Sequence, residues 1–428
     1  MSREWIGLPE YEWADEAAKF NINSICGAAE ERGMENEIPL EATLDVPDIV
    51  RFHGYDCEEL TVTTVDGFIL SVFRVRHLDH INEKTVKEPV VLQHGLLGCA
   101  SHWVSNGPHD SLAFILAKAG LDVYLANSRG NKYCKKHVSL KTTDQEFWRW
   151  SWQEKAKYDI PATVDAVLKK SGYPNLFYVG HSQGTLIMFA YLSEAPKEEC
   201  RKIRAFFALA PITRLKHITS PIKHLAGLAD IAETGQTLMG GSEVLPNTRI
   251  GRWLNTQMHK MMRTTPLITI EDQANSFMGL ITGFNPSHYF RRYLPVYTAH
   301  TPSGTSLQNL IHFCQLIKSK KMQKYDHKSA NINNYLSVSP PVYDLSEVHV
   351  PVLLFHASDD NLADVEDVKW ASSQLPNVVE EHLFDGWDHL DFIWGTRAPA
   401  YLYAEILAFI VSVSSKSTPP DSKSSTEC

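Results

Sequence analysis

Leu176-Phe-Tyr-Val-Gly-His-Ser-Gln-Gly-Thr-Leu-Ile-Met-Phe-Ala190 passes from a short apolar run through Gly180-His-Ser-Gln-Gly184 into a longer apolar one. The first run has the length and composition of a buried strand, and the second reads as a helix. A sharp strand-to-helix turn lifts one side chain above a sheet, and glycines on both sides leave room for the strained backbone this requires. Ser182 sits at that point and is the candidate nucleophile. The N–H groups of the helix behind it favour negative charge developing on a substrate oxygen. An ordinary βα turn with a small polar residue is the alternative, but a strand before and a helix after the five-residue pattern argue for the functional reading.

Outward from this stretch the same rhythm repeats. Pro89–Gly95 reads as a strand and Ser111–Ala119 as a helix, followed by a strand at Leu121–Ala126 and a helix at Asp159–Lys170 with Pro161 in its first turn. Ile203–Leu209 is a further strand. Alternation of this kind predicts a mostly parallel sheet with helices on both faces. Ahead of it, β-rich runs on either side of Asp66-Gly67 predict an antiparallel hairpin. After Ala210-Pro211 the rhythm stops, and residues 211–345 are helical in texture, Met-rich and aromatic, which predicts an inserted helical cap or lid. Strands return at Val350–His356 and Val378–Phe384, and a last helix spans Pro399–Val411. The expected organisation is therefore an N-terminal extension of unassigned role (1–44), a core in two parts (45–210 and 346–411) around the cap, and a disordered Ser/Lys/Pro/Thr tail (412–428).

A chain of 428 residues with 43% hydrophobic and 10% aromatic content can bury a substantial core, so wholesale disorder is excluded. The net charge of −9 supplies no basic field, which argues against nucleic acid as a partner. The first residues lack a basic region followed by an apolar one, and no Asn-x-Ser/Thr acceptor occurs in the chain. The seven cysteines are scattered without a C-x-x-C pair and read as thiols. Together these features favour an intracellular address. No uninterrupted apolar run is long enough for a membrane span, so any membrane contact is expected to be peripheral.

A serine nucleophile needs a base, a group to orient that base and donors for the oxyanion. His389 follows the last strand in Gly386-Trp-Asp-His-Leu-Asp391, and Asp360 follows the preceding one, so both emerge at strand C-terminal ends, where such sheets place their crevice. Asp359 competes with Asp360 for the acid role, and a helix cap near Asp364 or a surface-loop histidine are the plainer readings of Asp360 and His389. The loop His94-Gly-Leu-Leu-Gly98 after an early strand offers the Leu96 N–H as one oxyanion donor, and the residue after the nucleophile, Gln183, offers the other. Phe147-Trp-Arg-Trp-Ser-Trp152 reads as packing beneath the cleft and His356 as a strand-end residue, not a second base. In the cap, Ile222, Leu225, Ala226, Ala229 and Ala232 recur at helical spacing between Lys223, His224, Asp230 and Glu233. This is an amphipathic stripe that either covers the cleft as a lid or packs on the core.

With these motifs in hand, the chain resembles the acid lipase family of α/β-hydrolases, which includes gastric lipase and lysosomal acid lipase. The resemblance is carried by Leu92-Gln-His-Gly-Leu-Leu97, Asn127-Ser-Arg-Gly-Asn131, Ala156-Lys-Tyr-Asp-Ile-Pro-Ala-Thr163, Gly180-His-Ser-Gln-Gly184, Ala208-Leu-Ala-Pro211, Pro302-Ser-Gly-Thr-Ser306 and His389-Leu-Asp-Phe-Ile-Trp394, and it spans Asp45 to Val411. It implies an α/β-hydrolase fold and hydrolysis of triacylglycerols or cholesteryl esters. It also implies Ser182, Asp360 and His389 at the triad positions, Leu96 and Gln183 at the oxyanion hole, and neither metal nor organic cofactor. The family's usual address, secreted or lysosomal, is the alternative to an intracellular one. Unlike gastric-type members, the chain has no cysteine in the cap between Gly251 and Gly283. The rival readings are a carboxylesterase for small soluble esters and a lipid carrier that kept the fold without the chemistry.

Overall fold

A computed structural model describes residues 38–80, 88–228, 241–264, 282–283 and 285–415. Its centre is a twisted sheet opened by the expected hairpin, β1 (Tyr55–Thr63) and β2 (Phe68–His77), which pair antiparallel from Tyr55↔His77 to Thr63↔Ile69. The strands that follow are β3 (Pro89–Gln93), β4 (Asp122–Ala126), the two-residue β5 (Lys136–His137), β6 (Leu176–His181) and β7 (Ile203–Leu209). Between them run the helices α1 (Leu112–Lys118), α2 (Ile160–Ser171) and α3 (Gln183–Glu194). The sheet order is β1-β2-β4-β3-β6-β7-β10-β11, where β10 is Val352–Ala357 and β11 is Val378–Phe384; β5 pairs with β2. From β4 through β11 all neighbours are parallel.

Every residue of β3, β4, β6 and β10 is buried, as expected of strands covered on both faces. β11, the edge strand, instead carries three consecutive polar residues, Glu380, Glu381 and His382, and only Phe384 at its end is buried. The register brings the C-terminal ends into line: Gln93 pairs with Gly180, Gly180 with Ala208 and Leu209 with Phe355. Loops leaving these ends share one edge of the sheet. On the hairpin side, Arg129 is fully buried and pairs with Asp159 at 2.8 Å and with Asp66 in the hairpin turn at 2.6 Å. That turn is thereby fastened to the loop after β4 and to the start of α2.

The insertion is largely helical among the described residues, with α4 (Arg249–Thr264), α5 (Leu294–His300) and α6 (Leu307–Ser319), followed by α7 (Val365–Gln374) and α8 (Ala404–Ser415) in the returning core. It also holds a small ladder the sequence does not announce, Glu243–Val244 (β8) against Thr305–Ser306 (β9). The stripe at 222–232 is described only in part. Pro221–Leu228 is a 3₁₀-helix in which Ile222 is half-buried against the core, Ala226 is buried and Lys223 and His224 are exposed. The side chain of Leu225 and residues 229–232 lie outside the described residues.

Two expected boundaries move. The tail does not begin at Ser412, because α8 runs on to Ser415: Val413 is buried, its carbonyl accepts from Arg204 at 2.7 Å, and Ser412 and Ser414 bond back to Phe409 and Ile410. The end of the N-terminal extension is packed into the fold, against α5 and the residues ahead of β1. Glu41 and Ala42 are buried, the Glu41 carbonyl meets His300 Nε2 at 2.8 Å, and the Glu41 carboxylate lies 3.1 Å from His53.

Candidate active site

The turn after β6 has the geometry its glycines foretell. Ser182 carries φ 54° and ψ −116° directly ahead of α3, and its own N–H reaches Leu209 O at 3.0 Å. A methyl group on Gly184 would lie 2.6 Å from Gln93 O, and one on Gly180 would lie 2.9 Å from the Gly184 backbone. Each glycine is thus required where strand, helix and turn approach most closely. A methyl on Gly95 would come within 2.9 Å of Ser182 Cβ, so the loop after β3 lies against the serine.

His389 brings Nε2 to 2.8 Å from Ser182 Oγ, and its Nδ1 lies 2.8 Å from Asp360 Oδ2 and 3.0 Å from Oδ1. With the proton on Nδ1, Nε2 is the acceptor for the serine hydroxyl. Asp360 also accepts from the Leu362 and Ala363 amides at 2.8 Å each. Burial pushes its pKa up, but His389 and those two amides outweigh burial and hold it below the usual carboxylate range. Of the two competing aspartates, Asp359 points away: its carboxylate is exposed and takes the Ser358 hydroxyl at 2.9 Å. The helix cap that competed for Asp360 belongs to Asp364, which accepts from Glu366 N at 2.9 Å.

Gln183 is the first residue of α3, where an N–H has no partner within the helix. Leu96 is half-buried in the loop beside Ser182, and Leu97 follows at φ 59°. Buried side chains hold this loop: His94 Nε2 accepts from Ser128 N at 3.1 Å, and Asn127 Oδ1 accepts from Ala100 N at 3.0 Å. Burial pushes His94 down to about 3, so it stays neutral and able to accept. The cap reaches the same loop through Ser303 N, 2.7 Å from Leu97 O. Under the turn, the Gln183 side chain links the segment ahead of α2 to α6. Its Oε1 accepts from the buried Lys155 Nζ at 2.9 Å and its Nε2 donates to Asn309 of α6 at 3.2 Å.

The aromatic run is packing as expected, with Phe147, Trp148, Trp150 and Trp152 all buried. His356 is buried near the end of β10, 3.3 Å from Glu381 on the neighbouring strand. Lys155, the Gln183 side chain and the two aspartates flanking His389 were not singled out by sequence: Lys155 stands among Gln153, Glu154 and Lys157, and no local pattern sets the others apart. Among the described residues two groups cluster closely enough to meet a cation, His288 with Asp388 and Asp391, and Glu380 with His382 and Glu405. In the first, both carboxylates already take hydrogen bonds from protein N–H groups.

A parallel sheet in this order, with a serine on the turn ahead of α3 and loops from neighbouring strand ends converging on it, defines an α/β-hydrolase. Residues 88–396 match the alpha/beta hydrolase fold and residues 46–107 the partial alpha/beta-hydrolase lipase region. Human lysosomal acid lipase/cholesteryl ester hydrolase is 39% identical over 370 residues, covering 86% of this chain and 90% of that one. Gastric triacylglycerol lipase of Bos taurus is 37% identical over 376 residues, covering 86% and 92%. A soluble variant of monoglyceride lipase from Saccharomyces cerevisiae shares the fold at a TM-score of 0.50 and 15% identity, covering 83% and 96%. The chain belongs to the acid lipase family of α/β-hydrolases and is a carboxylic ester hydrolase. No helix among the described residues is long and apolar enough to cross a membrane.

Proposed function

We propose that the protein is a lipase for neutral lipid esters, triacylglycerol or cholesteryl ester, working through an acyl-enzyme on Ser182. The observation that carries this reading is the continuous path from Asp360 through His389 to Ser182 Oγ, each step 2.8 Å, at one edge of the sheet. Ser182 Oγ attacks the acyl carbonyl while His389 Nε2 takes its proton and Asp360 holds the imidazolium. The Leu96 and Gln183 amides receive the oxyanion. Collapse of the tetrahedral intermediate expels the alcohol with the proton from His389, and water then releases the acid by the same route. The substrate class is taken from the relatives, whose names specify cholesteryl ester and triacylglycerol.

Residues 211–345 act in this reading as the cap over the site, with the core divided between 45–210 and 346–411. Contact with a lipid surface falls to α4, where Ile250, Trp253 and Leu254 are 73%, 60% and 54% exposed at i, i+3, i+4 spacing. The address is intracellular in this reading, supported by Cys57, Cys99 and Cys134, which are buried as thiols. Recovery of the native protein from a secretory or lysosomal fraction would contradict it.

A substrate panel tests the assignment. Emulsified triacylglycerol and cholesteryl ester should be cleaved, one of them at least as efficiently as a short soluble ester. Activity confined to the soluble ester would make the protein a carboxylesterase instead.

A further inference from the structure

His389 stands between two buried aspartates, and one segment of the cap grips both. Within the loop, Asp388 N donates to Asp391 Oδ2 at 2.7 Å and Leu390 N donates to Asp388 Oδ1 at 2.8 Å. The two carboxylates thereby fix the backbone on either side of the imidazole. The His389 carbonyl is itself held by His181 Nε2 at 2.8 Å. From the cap, His288 Nδ1 lies 2.8 Å from Asp391 Oδ2, the Tyr289 hydroxyl donates to Asp388, and Asn285 N donates to Asp388 Oδ2 at 3.0 Å. Backbone pairing continues the grip, with Thr396 N bonded to His288 O at 2.8 Å and Tyr289 bridged to Gly395.

We propose that His288 and Tyr289 are positioning residues for His389, a cap-borne clamp that acts through Asp391 and Asp388 on the loop carrying the base. The proposal rests on the assignment of His389 as that base. A buried pair of neighbouring carboxylates is a poor way to gain stability, since apolar residues of similar volume would pack there without the desolvation cost. What the cluster supplies is direction. Each carboxylate accepts from a loop amide and from a cap side chain together, so the imidazole can hold its place over Ser182 only with the cap seated. Displacing such a group by about 1 Å costs up to roughly 10²-fold in rate.

The test uses the full chain and p-nitrophenyl butyrate, a soluble ester that needs no lipid interface. His288→Leu should lower kcat about tenfold with KM within about twofold, and should slow covalent labelling by a fluorophosphonate in parallel. His288→Asn should return kcat to within about threefold of the wild-type value, because its amide nitrogen stands near the place of Nδ1 and can donate to Asp391. If His288→Leu does not fold, Tyr289→Phe removes a single hydroxyl from Asp388 and should show the same split between kcat and KM. Lowered melting temperature with kcat and labelling rate at wild-type values would overturn the clamp and leave the cluster a matter of stability alone. Ser182→Ala measured alongside keeps the two readings apart: turnover retained in that variant would remove the base assignment on which the clamp is built.

Discussion

Asp359 and Asp360 are adjacent, chemically identical in side chain, and both follow a strand that ends at the active edge. Nothing in their spacing separates them, which is why the resemblance to a family was needed to favour Asp360. The structure separates them by partners: two backbone amides and His389 converge on Asp360, while Asp359 faces solvent. Asp360→Asn should therefore lower kcat by about 10⁴-fold by holding His389 in the wrong tautomer. Asp359→Asn should stay within a few-fold of wild type, and steady-state kinetics of the two variants on one soluble ester compares them directly. The serine, by contrast, was legible, because Gly180 and Gly184 flank it where β6 and α3 meet, and a methyl on Gly180 would lie 2.9 Å from the Gly184 backbone. The aspartates beside His389 were not legible as a pair of anchors. Their partners, His288 and Tyr289, lie about a hundred residues away, and no local pattern announces such a contact.

At the scale of elements, β3, β4, β6 and β10 were legible because burial on both faces leaves them almost wholly apolar, and β11 was marked by the apolar pairs Val378-Val379 and Leu383-Phe384 at its two ends. The cap was harder. Its apolar residues serve two purposes, packing inward and facing out, and periodicity alone does not say which. In the stripe beginning at Ile222, the described apolar residues turn inward. On α4 they turn outward, and Ile250, Trp253 and Leu254 make an exposed apolar strip of the kind that enters a lipid surface. Trp253→Ser should weaken adsorption to emulsified triacylglycerol several-fold while sparing hydrolysis of a soluble ester and leaving the melting temperature unchanged. A vesicle or emulsion sedimentation assay beside the two activities reads this out. Loss of both activities with a lower melting temperature would place Trp253 in the core instead.

For the molecule as a whole, buried charges set how stability responds to pH. Burial pushes Asp391 up to about 7 from an ordinary value near 3.8, with the neighbouring Asp388 adding to the shift. Between those values the folded state holds a proton that the unfolded chain releases. The resulting stability is complete below about pH 4 and is lost as pH rises through 7. Asp391→Asn, which imitates the protonated acid, should flatten the fall in melting temperature between pH 4 and pH 7. An unchanged slope would show that other groups carry it. Burial pushes Lys155 down to about 7 from 10.5, so its effect falls in a different window, with stability rising from pH 7 towards 10.5 as the unfolded chain alone retains the proton. Neither group was foreseeable from composition, since a net charge says nothing about which charges the fold encloses. Global architecture was foreseeable, because an α/β alternation with one long interruption leaves few ways to build a sheet. The central claim remains the chemistry at Ser182, and the most direct measurement is kcat/KM for Ser182→Ala on a soluble ester, together with its melting temperature. Activity should fall by about 10⁴-fold or more with the melting temperature nearly unchanged, because the hydroxyl serves chemistry and not packing. Retained turnover in a folded Ser182→Ala protein would contradict the account.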